Sequence, residues 1–321
     1  MPAANRIRPQ DVFSDVEWQT LSQRQPWRGP ALMAHAWGLI FLSMAIFALW
    51  PNPLTFILAI MITGSRQLGM AILMHEAAHG ALHPKTHINE FLGHWLGAAP
   101  VGASLDSYRR YHLGHHKYVQ QQEDPDLVLS APFPVSRDSL RRKIIRDLTG
   151  QTFVRQRLAG FAALSREKND SIATSADGLS AADRQAEVLS GRKALRDHGI
   201  ANLVLFLLLA LTGYWWLYPA IWLVAMATWF PFITRIRNIA EHACVQNSED
   251  PLAHARTTHA NWWERLFIAP YWVHFHSEHH AFMHLPCYRL PKAHAMLIEK
   301  GLGERIPQEN SYADVLKKAV A

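Results

Sequence analysis

Four stretches of this chain are apolar on nearly every face. Ala31 to Trp50 is an almost unbroken run, interrupted only by His35 and small residues; Leu54 to Leu73, Ile200 to Tyr218 and Ala220 to about Ile233 follow. About 20 apolar residues at roughly 1.5 Å each cross a bilayer core. The pattern therefore predicts an all-α integral membrane protein with transmembrane helices at about residues 31–50, 54–74, 200–218 and 220–236. Core helices of soluble proteins rarely come in adjacent pairs this apolar all round. Trp50-Pro51-Asn52-Pro53 and Tyr218-Pro219 mark the turns, because proline and the residue before it end helices, so the spans read as two tight hairpins. Pro231 is expected to kink or end the fourth helix. A single membrane domain over residues 1–321 results, with a helical cap built from 75–199 and 237–321.

Between the spans the pattern changes. Residues 1–30 read as a polar tail with a short amphipathic turn near Val12 to Leu21. Residues 88–105 are almost long enough to span, but Glu90, His94 and Pro100 argue for an interfacial or re-entrant segment. Leu140 to Leu164 mixes six arginines and lysines with apolar residues, as a basic helix on the membrane surface or in a cytosolic cap would. Residues 165–199 are polar and rich in Ser and Ala, which suggests a mobile connection or a small helical cap.

Charge adds an orientation. The turns of both hairpins are uncharged, whereas the segments after Ala77 and after Thr234 are rich in Lys and Arg. The positive-inside rule then places both tips outside and both termini in the cytoplasm. The net charge of +6 follows from that topology and from contact with anionic lipid, and not from binding nucleic acid. The first thirty residues are polar and lack a secretory signal. Cys244 and Cys287 would lie on the reducing side, with no disulfide framework and no zinc ribbon.

Nineteen of the 321 residues are histidine, and four clusters stand out. His75 and His79 form HxxxH; His112, His115 and His116 form HxxHH; Asn238 and His242 form NxxxH; His276, His279 and His280 form a second HxxHH. On a helix, residues three and four apart share a face, so each cluster aims its imidazoles at one point. With four spans and a non-crossing 88–105 segment, all four clusters meet on one side of the membrane. Nine clustered histidines exceed the capacity of one ion and fit two. A two-zinc hydrolase would normally include carboxylates, and the Glu-x-x-His pattern of soluble di-iron bundles is absent from these spans. An all-nitrogen pair of ions beside lipid points to oxygen chemistry on an apolar substrate.

These clusters resemble the histidine boxes of the membrane fatty acid desaturases and their hydroxylase and ketolase relatives. The resemblance runs from about Gly64 to the Pro286-Cys287-Tyr288-Arg289-Leu290-Pro291 stretch. It implies two iron ions, O2 as co-substrate, and ligands His75, His79, His112, His115, His116, His242, His276, His279 and His280, with Asn238 acting through water. The HEAAH spacing is closer to the acyl-lipid and carotenoid-modifying branches than to the stearoyl-CoA branch, and no fused cytochrome b5 domain is present. Glu76, Asp124, Asp126, Glu241 and Glu278 are candidates to orient the ligands, since a metal-bound histidine usually donates its other N–H to a carboxylate or carbonyl. His83, His274 and His284 flank the boxes and are expected to form hydrogen bonds at the cytosolic surface. Arg66, nine residues before His75, should face the bundle interior as intramembrane charges do.

The reading implied is an O2-dependent di-iron desaturase of a lipid acyl chain in a bacterial inner membrane, fed electrons by a separate protein such as a ferredoxin. A di-iron hydroxylase or ketolase acting on a lipid, sphingolipid or carotenoid uses the same ligands. A non-catalytic membrane metal-binding or transport protein is the rival from another class; transport would need ligands within the spans, and only His35 lies in a clear one.

Overall fold

The protein's structure, a computed structural model, describes residues 3–166 and 181–321. Among these, helices and their connections account for nearly everything. The one strand pairing is parallel and two residues long, Thr257–Thr258 with Gln308–Glu309. Four helices are long and apolar enough to cross a membrane: Arg28–Leu49, Pro53–Ala78, Leu189–Leu211 and Tyr218–His242.

The first two are joined by Trp50 to Asn52. The Asn52 side chain accepts the backbone N–H groups of Leu54 and Thr55, and Thr55 Oγ1 accepts the Asn52 N–H in return. Pro53 occupies the first helical position, where a missing N–H has no partner to lose. Ser43 meets Thr63 at 3.3 Å and Phe47 packs on Phe56, so the two helices run antiparallel.

The second pair differs from the sequence expectation. The third helix begins at Ala181, not near Ile200, and ends at Leu211. The chain turns through Thr212 to Leu217, with Gly213 at φ +79°. Tyr218-Pro219 therefore opens the fourth helix and is not the turn; proline is tolerated there for the same reason as Pro53. Residues 181–199 are helical, and from Ser190 onward polar side chains of that stretch meet partners. Asp197 meets His94 Nε2 at 2.9 Å, and His198 Nδ1 donates to the Ala99 carbonyl. Residues 167–180 of the expected connection lie outside the described part.

Pro231 acts one turn upstream. It lacks the N–H that would reach the Ala227 carbonyl, and its ring crowds that group. The fourth helix accordingly breaks at Thr228 (φ −121°, ψ −73°) and restarts as Trp229–His242. Trp222 ties the bundle together. Its carbonyl accepts Gln67 of the second helix, its indole donates to Asn202 of the third, and its ring stacks on Trp37 of the first.

The segment expected to be interfacial or re-entrant is helical from Thr86 to Val101, with a wider π-type stretch at Leu92–Ala98. It runs beside the second helix: Asn89 donates to the Ala77 carbonyl, while Gly97 lies against Met70 and Met74. Gly102, at φ +80°, ends it, and helix Leu105–Tyr118 returns, with Leu105 against Gly93. The chain thus runs out along the second helix and comes back, which brings His79 and His112 together. The basic segment forms two helices, Arg137–Leu148 and Gln151–Arg166, divided at Gly150 (φ +77°). One face is docked through Asp147, which is buried and accepts Arg235 at 2.5 Å. Ile145, Leu148, Val154 and Leu158 stay exposed, as on a helix pair resting against lipid.

Candidate metal centre

The second and fourth spanning helices end in histidines. His75 occupies the last turn of Pro53–Ala78 and His79 caps it; His242 is the last residue of Trp229–His242. His112, His115 and His116 lie on Leu105–Tyr118, and His276, His279 and His280 on the short helix His276–Ala281. The fold brings all nine together in two groups that could each hold a metal ion. One group is His75, His79, His112, His116 and His279; the other is His115, His242, His276 and His280, with nitrogens within 4.8 Å of one another in each.

The nitrogens fit ions better than they fit hydrogen bonds. His116 Nε2 lies 3.0 Å from His112 Nε2 and 3.1 Å from His279 Nε2. In the other group His276 Nε2 lies 3.0 Å from His242 Nε2 and 3.2 Å from His280 Nε2, which is itself 3.2 Å from His115 Nε2. A neutral imidazole carries one N–H and one lone pair, so three Nε2 atoms facing one another leave lone pairs opposed. Nitrogens about 2.1 Å from a shared ion and at right angles to one another sit about 3 Å apart. His75 Nε2 and both His79 ring nitrogens are buried without a hydrogen-bond partner, a costly state that ligation would relieve. Burial also keeps these rings neutral and ready to ligate. It pushes His79 down to about 3 and holds His112, His116, His276, His279 and His280 well below the ordinary histidine range.

Carboxylates orient part of the set. His115 Nδ1 meets Asp124 Oδ1 at 2.7 Å, and Asp124 is fixed by the backbone N–H groups of Gln120 and Asp126. Asp126 Oδ2 is farther from the same ring, at 3.7 Å, and Asp126 accepts the Tyr111 hydroxyl. Glu76 and Glu241 lie 3.4 Å and 3.5 Å from the Nδ1 atoms of His75 and His276. Glu278 does not face a ligand histidine; it accepts Thr257 Oγ1 and pairs with His294 Nδ1. None of His83, His274 and His284 falls in either group. His83 and His274 are buried and not at the surface as expected, whereas His284 is exposed.

A cavity of about 270 Å³ opens beside the histidines. His112, His115, His242 and His276 form one wall with Asn238, while Leu68, Met74 and Phe230 supply an apolar one. Tyr108, Tyr111 and Arg237 also line it. Sequence reasoning missed these three, because nothing in their spacing marks them. It also missed two arginines. Arg109 donates to the Ala77 and Ala78 carbonyls, and Arg256 to those of Ala240 and Ala243. Each thereby closes the C-terminus of a helix that ends in box histidines.

The family model for fatty acid desaturases matches residues 48–309, most of the chain and all four clusters. The chain belongs to the fatty acid desaturase family. None of the curated proteins compared with it matches. As a member of that family the chain is an oxidoreductase with a lipid desaturase-type function. The apolar spans and paired histidine groups are what a membrane-bound, histidine-box desaturase requires.

Proposed function

We propose that this fatty acid desaturase is an O2-dependent di-iron enzyme that introduces a double bond into a lipid acyl chain. The carrying observation is the sorting of nine buried or half-buried histidines into groups of five and four beside an apolar-walled cavity. Two irons, when bound, supply oxygen activation and the removal of hydrogen from an unactivated C–H bond. The residues that would hold them are His75, His79, His112, His116 and His279 for one, and His115, His242, His276 and His280 for the other, with Asn238 on the cavity wall acting through water.

The chain's own contribution is positioning. Asp124 holds His115 with its Nδ1 protonated and its Nε2 lone pair inward. Leu68, Met74 and Phe230 exclude water and seat a methylene chain, and alignment of that chain decides between desaturation and hydroxylation. The acyl chain belongs to a phospholipid, a carrier thioester or a sphingolipid, and electrons come from a separate donor such as a ferredoxin. Both helical hairpins point their tips out of the cytoplasm, and the cap holds the centre on the cytoplasmic face.

Expression in a host whose lipids are profiled tests the reading, beside a His279→Ala control. New double bonds should appear with the wild type and vanish with the variant. An unchanged lipid profile from a wild-type protein that carries two irons per chain and a working donor would overturn it.

A further inference from the structure

A second cavity, of about 470 Å³, lies between the first spanning helix and the segment 262–272, and shares no residue with the cavity beside the histidines. Its floor is Arg66, only 3% exposed. Arg66 Nη2 donates to Ser65 Oγ and to the Leu266 carbonyl, its guanidinium lies over the Tyr271 ring at 5.4 Å, and its Nε has no partner. Arg28 and Arg265 line the same cavity. Among the described residues none of the three meets a carboxylate. Arg28 reaches only the Gln25 side chain and the Trp27 and Tyr288 rings. A buried guanidinium without a counter-ion is expensive, so a cavity with three cations and no anion is built to receive one.

The depth of the cavity identifies the anion. Gln67, next to Arg66, is level with Trp222 and Asn202. From five to ten residues before Asn202 the third helix carries Asp197, Arg196, Lys193 and Arg192, so Arg66 lies inside the span, about 8–15 Å from the charged membrane boundary towards which the cavity opens. Trp27 and Trp262 at the rim are 62% and 74% exposed, as interfacial tryptophans are. Leu32, Leu39 and Leu266 give the cavity an apolar wall that a free phosphate would leave unused. The backbone is also held in an uncommon shape. Tyr271 and Trp272 have φ of +56° and +60°, which sets the Tyr271 hydroxyl 3.0 Å from His35 Nδ1 and 3.2 Å from the Leu32 carbonyl.

We propose that this cavity binds the phosphate of an anionic phospholipid, with Arg66 at its floor, Arg28 and Arg265 at its rim, and the first methylenes against Leu32 and Leu39. The bound lipid is not the substrate, because the second spanning helix separates it from the histidines. It braces segment 262–272, which leads directly into His276. The inference needs the chain in a membrane but not the iron chemistry.

The test is the melting temperature of the full chain in a neutral detergent. Phosphatidylglycerol, phosphatidylcholine, oleate and inorganic phosphate are added separately, and tryptophan emission is followed. A ligand of the folded state raises the midpoint in proportion to the logarithm of its concentration. Phosphatidylglycerol should raise it by several degrees and the other three by less than half as much. Arg66→Gln should abolish the phosphatidylglycerol shift. The R28Q/R265Q double variant should at least halve that shift while leaving the lipid-free midpoint in place. This second variant changes one exposed and one half-exposed side chain, so it decides the matter even if Arg66→Gln fails to fold. A full shift retained by the double variant, or an equal shift from phosphatidylcholine, oleate or phosphate, overturns the proposal.

Discussion

At the scale of single residues, the histidines were legible and their carboxylate supports were legible in part: Glu76, Asp124, Asp126 and Glu241 lie beside ligand rings, and Glu278 does not. Spacings of three and four on a helix make the boxes visible in the sequence, and the structure gathers all nine. Supporting roles depend on which way a neighbour turns, and spacing says nothing of that. Glu278 sits inside a box yet faces Thr257 and His294, while Asp124, nine residues from His115, is the carboxylate at hydrogen-bond distance. This contrast yields a prediction. Asp124→Asn removes the charge that fixes the His115 tautomer, and should lower metal affinity or turnover by about 10- to 100-fold. Glu278→Gln should affect the melting temperature more than the metal content, since its partners tie the last helices together. Metal analysis and thermal melting of both variants check the two directions; equal metal retention in both would remove Asp124 from its assigned role.

At the scale of elements, apolar runs showed where helices are, but polarity misled about where they are not. Residues 181–199 read as a mobile connection or a small helical cap because their polar groups are counted as solvated; in the fold they continue into the third helix, and Asp197 and His198 satisfy partners on the 86–101 helix. Helix ends were equally hidden, since their caps come from far along the chain. Arg109 holds the carbonyls just before His79, and Arg256, only 4% exposed, holds those around His242 at 3.0 Å and 2.8 Å. A cation at a helix C-terminus also complements the helix dipole. Arg256→Ala would leave two buried carbonyls unpaired and should cost about 2–3 kcal/mol. Its effect should reach the metal, because it loosens the helix end that carries His242. A lower melting temperature with a partial loss of bound metal is the expected result. A stable variant with full metal would show that the helix end needs no such cap.

At the scale of the whole molecule, the proposed site depends on topology: four spans, two returns and a non-crossing segment must leave every histidine on one side. The geometry of the centre argues for this independently of charge, because His79 and His112 belong to one group although residues 80–111 lie between them. A span in that interval would have to be matched by a second, and the only long helix there, from Thr86 to Val101, runs alongside the second span and is answered by Leu105–Tyr118. Charge then supports the proposed cytoplasmic side. Trp50 to Asn52 and Thr212 to Leu217 carry no charged residue, while Arg137–Leu148 and Gln151–Arg166 are basic and keep apolar side chains exposed beside the bundle. Reporters active only in the cytoplasm, fused after Ala103 and after Ala321, should both be active. Reporters active only outside should work after Asn52 and after Gly213. An external signal at Ala103 would split His75 and His79 from the later boxes in the membrane, and no arrangement of the remaining helices could then assemble the group of five.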